Sequence, residues 1–241
     1  MKKIIINNTP QFIRKVFRYL KFNIFDGYAR KSYSQEGEDM ILNRIFENKT
    51  DGFYVDVGAH HPKRFSNTYF FYKKGWKGIN IDAMPGSMKL FKKLRPRDIN
   101  LEIPISNKNE YLTYYMFNEP ALNGFSEKLS EERDGKNQYK IISKTKMKTA
   151  TLENVLDEHL LQDQQIDFMS IDVEGLDLQV LESNNWKKHR PQFVLVEFLN
   201  KPGFQIDKFE KMKLLNSVGY SFYAKSICTV FYKKNDILNI S

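Results

Sequence analysis

The chain has 241 residues, with 38 Lys and Arg against 29 Asp and Glu, a formal net charge of +9. A content of 41% hydrophobic and 28% charged residues is a globular balance that excludes disorder and coiled coil, and the length suits one α/β domain with a short extension. The single cysteine, Cys228, excludes an internal disulfide and suits a reducing cytoplasm.

No apolar run approaches the ~20 residues that span a bilayer. Ile4, Ile5 and Ile6 meet Asn7, Asn8, Thr9 and Pro10 too soon for the apolar stretch of a signal peptide. The positive balance favours an anionic partner: phosphate, nucleotide, nucleic acid or membrane surface.

Residues 11–25 open the pattern. Phe12, Ile13, Val16, Phe17, Leu20 and Ile24 fall on one side, with Arg14, Lys15, Arg18 and Lys21 elsewhere. This is a basic amphipathic helix. It either packs on the domain or a second subunit, making a homo-oligomer, or attaches to an anionic membrane. Residues 1–30 are read as this extension and 31–241 as the main domain.

Helix and strand then alternate. Helices are expected at 38–47, 66–74 (stopped by Gly75), 85–94, 151–161 (Thr151 as N-cap), 176–183 and 207–217. Strands are expected at 53–57, 77–82, 100–105, 111–117, 166–172 and 193–198, with a terminal antiparallel pair at 220–224 and 229–233. Pro104 places the third strand at an edge or an irregular end. Residues 118–145 are polar, with Asn123-Gly124 and Asp134-Gly135 turn signals, and read as an insertion over the site. The alternation predicts an α/β fold with a mostly parallel sheet and helices on both faces. Its ligands would lie beyond the carboxyl ends of the strands.

Four of those strand ends are acidic: Asp56, Asp82, Asp172 with Glu174, and Glu197. Gathered at one crevice they repel unless a ligand, a cation or hydrogen bonds offset the cost. Asp82 follows the glycine turn at Gly58 by the interval that places a carboxylate on the hydroxyls of a ribose. Gly58 lets backbone approach a ligand closely. Positions 58–63 read GAHHPK, with one glycine where a dinucleotide site wants three. A ligand with a ribose but no pyrophosphate fits, and S-adenosylmethionine is such a molecule.

Five segments in order carry a resemblance: Tyr33-Ser34-Gln35-Glu36-Gly37-Glu38-Asp39; residues 53–62, FYVDVGAHHP; Ser66-Asn67-Thr68; residues 75–82, GWKGINID; and Ile171-Asp172-Val173-Glu174-Gly175. Together they resemble the FkbM family of S-adenosylmethionine-dependent methyltransferases, over about residues 33–200. The resemblance implies a Rossmann-like class I methyltransferase fold whose last strand is antiparallel. It also implies methyl transfer to a hydroxyl, on a sugar or natural product, in surface polysaccharide or natural-product biosynthesis. His60 and His61 stand where the broader methyltransferase pattern has small residues.

The candidate cofactor-binding residues are Gln35, Asp56, Gly58, Asn67, Thr68, Asp82, Ser106 and Asp172. Several have a plainer role open to them. Asp56 could accept loop N–H bonds, Ser106 could be a loop serine, and Gln35, Asn67 and Thr68 could cap a helix. The candidate catalytic residues are His60, His61, Asp172 and Glu174. A histidine titrates near neutrality and serves as base, while a carboxylate orients the acceptor hydroxyl. Asp172 and Glu197 with a histidine could hold magnesium or manganese, but their spacing is not diagnostic and no metal is predicted.

The expected acceptor is a nucleotide-linked or phosphorylated saccharide, because the net charge is positive. A nitrogen acceptor and a small phosphoryl metabolite are the alternatives within catalysis. A non-catalytic scaffold is another. A nucleic-acid-binding module is disfavoured, since the basic residues are spread along the chain rather than interleaved with aromatics on one face. The expected location is cytoplasmic.

Overall fold

In a computed structural model of the chain, residues 9–198 and 205–236 are described. Residues 1–8, on which the signal-peptide expectation rests, lie outside them. The chain divides into two compact units, residues 1–32 and 33–241. The first contains helix α1 (Gln11–Asn23), which has no buried residue.

The second unit follows the order α2 (Glu38–Ile45), β1 (Phe53–Val57), α3 (Tyr69–Lys74), β2 (Lys77–Asp82), α4 (Met88–Leu94), β3 (Ile99–Glu102), β4 (Tyr111–Phe117), α5 (Glu127–Arg133), β5 (Ile141–Lys148), α6 (Leu152–His159), β6 (Phe168–Ile171), α7 (Asp177–Glu182), β7 (Phe193–Glu197), α8 (Gln205–Ser217), β8 (Tyr220–Lys225) and β9 (Thr229–Lys234). Seven strands form one sheet in the order β3-β2-β1-β6-β7-β9-β8. Strands β3, β2, β1, β6 and β7 run parallel, and β9 pairs antiparallel with β7 and β8.

The central strands are short apolar runs because both sheet faces are covered. Alternation splits each strand between two layers. Val55, Val57, Met169, Ile171, Val194 and Val196 pack with Leu152, Leu156, Val180 and Leu181. Tyr54, Phe168, Phe193 and Leu195 pack on the other face with Leu42, Phe46, Phe71 and Trp76. Thr151 caps α6, its side chain accepting from Asn154 N–H.

The polar stretch 118–145 is more ordered than its composition suggests. A 3₁₀ turn (Pro120–Leu122), α5 and the start of β5 lie within it, and β5 pairs antiparallel with β4 as a separate two-stranded sheet. Lys144, Lys146 and Lys148 alternate along β5 with its half-buried positions, so a one-sided hairpin reads as polar in sequence. The third parallel strand stops at Glu102, before Pro104, and lies at the sheet edge.

A buried polar cluster lies where the ends of β1 and β2 meet α3 and α4. Arg95, at the carboxyl end of α4, is fully buried. Its Nε donates to Asp98 Oδ2 (2.8 Å), and its Nη2 donates to Tyr54 Oη (2.8 Å) and Thr68 Oγ1 (2.9 Å). Asp98 also accepts from Tyr54 Oη–H (2.8 Å), Asn80 Nδ2 (3.0 Å) and Gly78 N–H (3.1 Å). Thr68 Oγ1–H donates to Asp56 Oδ2 (2.7 Å). A buried arginine surrounded by acceptors in this way is satisfied, and it ties two strands to two helices.

Candidate functional site

A cleft opens at the carboxyl ends of β1, β2 and β6. It is lined by the loops after those strands, by the segment before α2, by residues 120–125 and by the turn joining β8 to β9. Gly58 makes the first loop possible. Its φ is +85°, and a Cβ there would stand 1.7 Å from the Asp172 carbonyl oxygen. Gly58 N–H and Ala59 N–H both donate to the Ile81 carbonyl, at 2.9 and 3.0 Å. The β1 loop is thereby held across the end of β2 and against the end of β6, and only glycine fits at the crossing.

Asp82 ends β2 and faces the cleft. Its Oδ2 accepts from His60 N–H and its Oδ1 from Met84 N–H, both at 2.7 Å. Burial raises its pKa, while these two backbone donors pull it back down. Each oxygen retains a lone pair for a further donor. Ala83, Met84, Ile103 and Ile105 line the cleft beside it, a slot with apolar walls suited to a flat base.

His60 lines the cleft with φ +51°. Its Nε2 is buried with no hydrogen-bond partner among the described residues. Burial, then the charges of Arg64 and His61, lower its pKa, so the ring is neutral at physiological pH. His61 has a different role. Its Nδ1 accepts from Lys63 N–H (3.0 Å) and Arg64 N–H (2.9 Å), which closes its own loop, and it does not line the cleft.

Asp172, beyond β6, is open to the cleft on one side and surrounded by protein on the others. Loss of bulk water there, with the charges of Glu174, Asp177 and Asp56, raises its pKa well above the carboxylate range. Glu197, at the end of β7, is raised by burial and by Asp172. Its Oε2 is buried without a hydrogen-bond partner among the described residues. Glu174 accepts from Arg133 Nη2 at 2.7 Å. Lys211 donates to Asp177 Oδ2 (2.9 Å) and to the Glu197 carbonyl (3.1 Å). Arg133 and Lys211 thus pair with Glu174 and Asp177, while Asp172 and Glu197, their pKa values raised, hold their protons at neutral pH.

Gln35, Gly58, His60, Asn67, Asp82, Asp172, Glu174 and Glu197 are brought together around this cleft. Asp56, Thr68 and Ser106 are not on its lining. Asp56 shares the sheet face of Tyr54, so alternation aims it into the Arg95 cluster, where it meets the Thr68 hydroxyl. The structure thus places it with a side-chain hydroxyl rather than with loop N–H groups or on the cleft. Ser106 is buried, and its N–H donates to the Ala150 carbonyl.

Sequence reasoning passed over several lining residues. Glu36 and Glu38 stand in the segment that supplied Gln35, and they bind the β8–β9 turn. Glu36 Oε2 accepts from Cys228 N–H (2.7 Å), and Glu38 Oε1 from Ser226 Oγ–H (2.7 Å). Burial and the Glu36 carboxylate push the Cys228 thiol up to about 11, so it stays protonated and is a poor nucleophile. Tyr114, Asn123 and Phe125 come from β4 and the loop after it. The aromatic run 111–117 and the Asn123-Gly124 turn in the stretch read as an insertion over the site were the signals for them. Among the described residues, no three His, Cys, Asp or Glu side chains converge as a metal site.

A parallel sheet reversed by an antiparallel strand at one side, with a carboxylate at the end of β2 facing the cleft, defines a Rossmann-like class I methyltransferase fold. The chain belongs to the methyltransferase FkbM domain family, whose model matches residues 56–222, and its cofactor is S-adenosylmethionine. Among solved structures it is similar to the 1,6-didemethyltoxoflavin-N1-methyltransferase of Burkholderia thailandensis, solved with 1,6-didemethyltoxoflavin and S-adenosylhomocysteine (12% identity, 93% of this chain and 88% of that one, TM-score 0.40). It is also similar to a TehB-like SAM-dependent methyltransferase from Corynebacterium glutamicum (9%, 93% and 97%, TM-score 0.40) and a putative type 11 methyltransferase from Sulfolobus solfataricus (12%, 87% and 98%, TM-score 0.40). No curated protein matches the chain.

The residues present fit the cofactor. Asp82 would hold the ribose hydroxyls and the slot of Met84, Ile103 and Ile105 the adenine. Asp172 and Glu197, protonated at neutral pH, would ionise beside a cationic sulfonium, and the Glu197 Oε2 has no other hydrogen-bond partner among the described residues. Among the described residues, no helix is long and apolar enough to cross a membrane.

Proposed function

We propose that the chain is a cytoplasmic O-methyltransferase acting on a hydroxyl of a saccharide, in surface polysaccharide or natural-product biosynthesis, with His60 as general base. The observation that carries the base assignment is the His60 ring: in the cleft, neutral, its Nε2 buried and partnerless. Bound S-adenosylmethionine supplies an electrophilic methyl on a sulfonium. The ring must turn to bring its unprotonated Nε2 to the acceptor, where it accepts the hydroxyl proton as the oxygen attacks. The loop holds His60 because Asp82 fixes its backbone N–H and Phe65 lies along its ring, centroids 6.3 Å apart. Asp172, with its raised pKa, orients the hydroxyl, and Arg133 holds Glu174 at the edge of the same lining.

The charge of the cleft bears on the acceptor. Its described lining contains Glu36, Glu38, Asp82, Asp172, Glu174 and Glu197, and no Lys or Arg. The positive net charge is therefore carried elsewhere. A nucleotide-linked or phosphorylated saccharide fits if its sugar alone enters and its phosphate stays outside this lining. The same carboxylates favour a second reading, methylation of an amine.

The test offers neutral glycosides, nucleotide-sugars and amino sugars, and reads a mass gain of one methyl. His60→Gln is expected to lower kcat by ~10²–10⁴-fold with cofactor affinity retained by calorimetry, while His61→Gln lowers it far less. Near-normal turnover of His60→Gln from pH 6 to 9 refutes the base. Methylation of amines alone replaces the oxygen reading with the nitrogen one.

A further inference from the structure

Helix α1 belongs to the unit of residues 1–32, and the cleft is built within the unit of residues 33–241. Its sequence separates two chemistries around one axis. At ~100° per residue, Tyr19, Phe12, Val16, Leu20, Ile13 and Phe17 occupy an arc of about 160°. Lys21, Arg14, Arg18 and Lys15 occupy the opposite arc of about 120°, with Phe22 the one apolar residue within it and the terminal Asn23 the one polar residue within the apolar arc. No residue of the helix is buried; Phe12 is 75% and Phe17 69% exposed, and Ile24 and Phe25 beyond its end are exposed as well. An apolar strip of this extent in water marks a surface that binds something.

Charge selects the occupant. The first 25 residues contain six Lys or Arg and no Asp or Glu. A second copy of the helix would cover the apolar strip but bring another cationic arc and no counter-charge. An anionic bilayer answers both arcs. The apolar side chains enter the boundary of the acyl region, and the long Lys and Arg stems carry their charges up to the headgroups. Tyr19 lies at the margin of the apolar arc, where an amphipathic ring sits at the lipid–water boundary.

We infer that residues 11–25 bind the surface of an anionic phospholipid bilayer. The helix lies in the interface without spanning it, since 13 residues rise only ~20 Å against the ~30 Å of the hydrocarbon core. The inference is independent of which acceptor is methylated.

Flotation of the full chain tests it, with vesicles of phosphatidylcholine alone and with about 30% phosphatidylglycerol added. The full chain is expected to float with the anionic vesicles, weakly with the neutral ones, and less at high salt. The variant with Arg14, Lys15, Arg18 and Lys21 all replaced by Gln is expected to bind at least ~10-fold more weakly. Phe12→Glu with Phe17→Glu is expected to abolish binding. Because α1 contributes nothing buried, these variants should keep wild-type circular dichroism and cofactor affinity. Phe17→Trp supplies a second reading, a blue shift in fluorescence on anionic vesicles, since Trp76 and Trp186 are both buried. The inference is overturned if the full chain stays unbound on anionic vesicles or if the charge variant binds like wild type. Self-association that Phe12→Glu with Phe17→Glu abolishes, with no vesicle binding, assigns the strip to a second copy instead.

Discussion

Replacing Arg95 by Met removes the only cation of the buried cluster under the cofactor loop, among the described residues. Asp98 keeps three donors without it: Tyr54 Oη–H, Asn80 Nδ2 and Gly78 N–H. Asp56 keeps one, the Thr68 hydroxyl. Breaking a buried ion pair costs ~3–5 kcal/mol, and the donors left on Asp98 put the expected loss near ~3.

The pH dependence is more diagnostic. Burial raises Asp56 to about 6, against the pull of Arg95, where an unfolded Asp titrates near ~3.9. A folded pKa above the unfolded one means that ionisation is harder in the native state. Its effect on stability is nil below ~pH 4 and complete above ~pH 6, where two units amount to ~3 kcal/mol lost. Without Arg95 the folded pKa rises further, so stability goes on falling with pH beyond 6. The Arg95→Met destabilisation should therefore be at least ~1 kcal/mol larger at pH 8 than at pH 5. Urea unfolding followed by Trp fluorescence measures it, because Trp76 packs on Phe71 in the layer above Tyr54. Equal losses at the two pH values, or a loss under ~1 kcal/mol, would refute Arg95 as the counter-charge of Asp56.

Asp82→Ala should weaken S-adenosylmethionine binding by ~1–3 kcal/mol, a factor of about 5 to 150 by calorimetry; unchanged affinity in a folded variant removes Asp82 from the ribose site. The raised carboxylates of Asp172 and Glu197 ionise more readily beside a sulfonium, so cofactor affinity should rise with pH and binding should release protons. Calorimetry in two buffers of different ionisation enthalpy reads that release, and S-adenosylhomocysteine, whose sulfur is neutral, should show less of it. An equal release for both molecules dissociates those carboxylates from the sulfur.

Much of the fold was legible in the sequence because parallel strands buried on both faces are continuous apolar runs and their helices end on glycine or proline signals. Phe53–Val57 and Lys77–Asp82 have the bounds that pattern predicts, and the aromatic run Tyr111–Phe117 of the hairpin has its expected bounds too. The β5 strand escaped, since a hairpin with a solvent face rich in lysine resembles a polar loop. Within the site, strand ends are one-dimensional landmarks. Asp82, Asp172 and Glu197 were therefore visible as carboxylates that a parallel sheet gathers at one edge.

Which way each side chain turns was decided by tertiary structure. His60 and His61 are neighbours in sequence, but the positive φ at His60 sends one ring into the cleft while the other caps its own loop. Asp56 and Asp82 lie at the carboxyl ends of adjacent parallel strands, yet one turns to the Thr68 hydroxyl and the other faces the cleft. Arg95 reads in sequence as a solvated charge in the run Lys92, Lys93, Leu94, Arg95. It is buried because Asp98, Tyr54 and Thr68, distant or unremarkable in the chain, converge on its Nε and Nη2. Composition and periodicity set which residues are buried and which strand ends meet. The partners of a polar group depend on through-space distances, which only packing fixes, because the cost of leaving a buried donor or acceptor unpaired is paid only once its neighbours are in place.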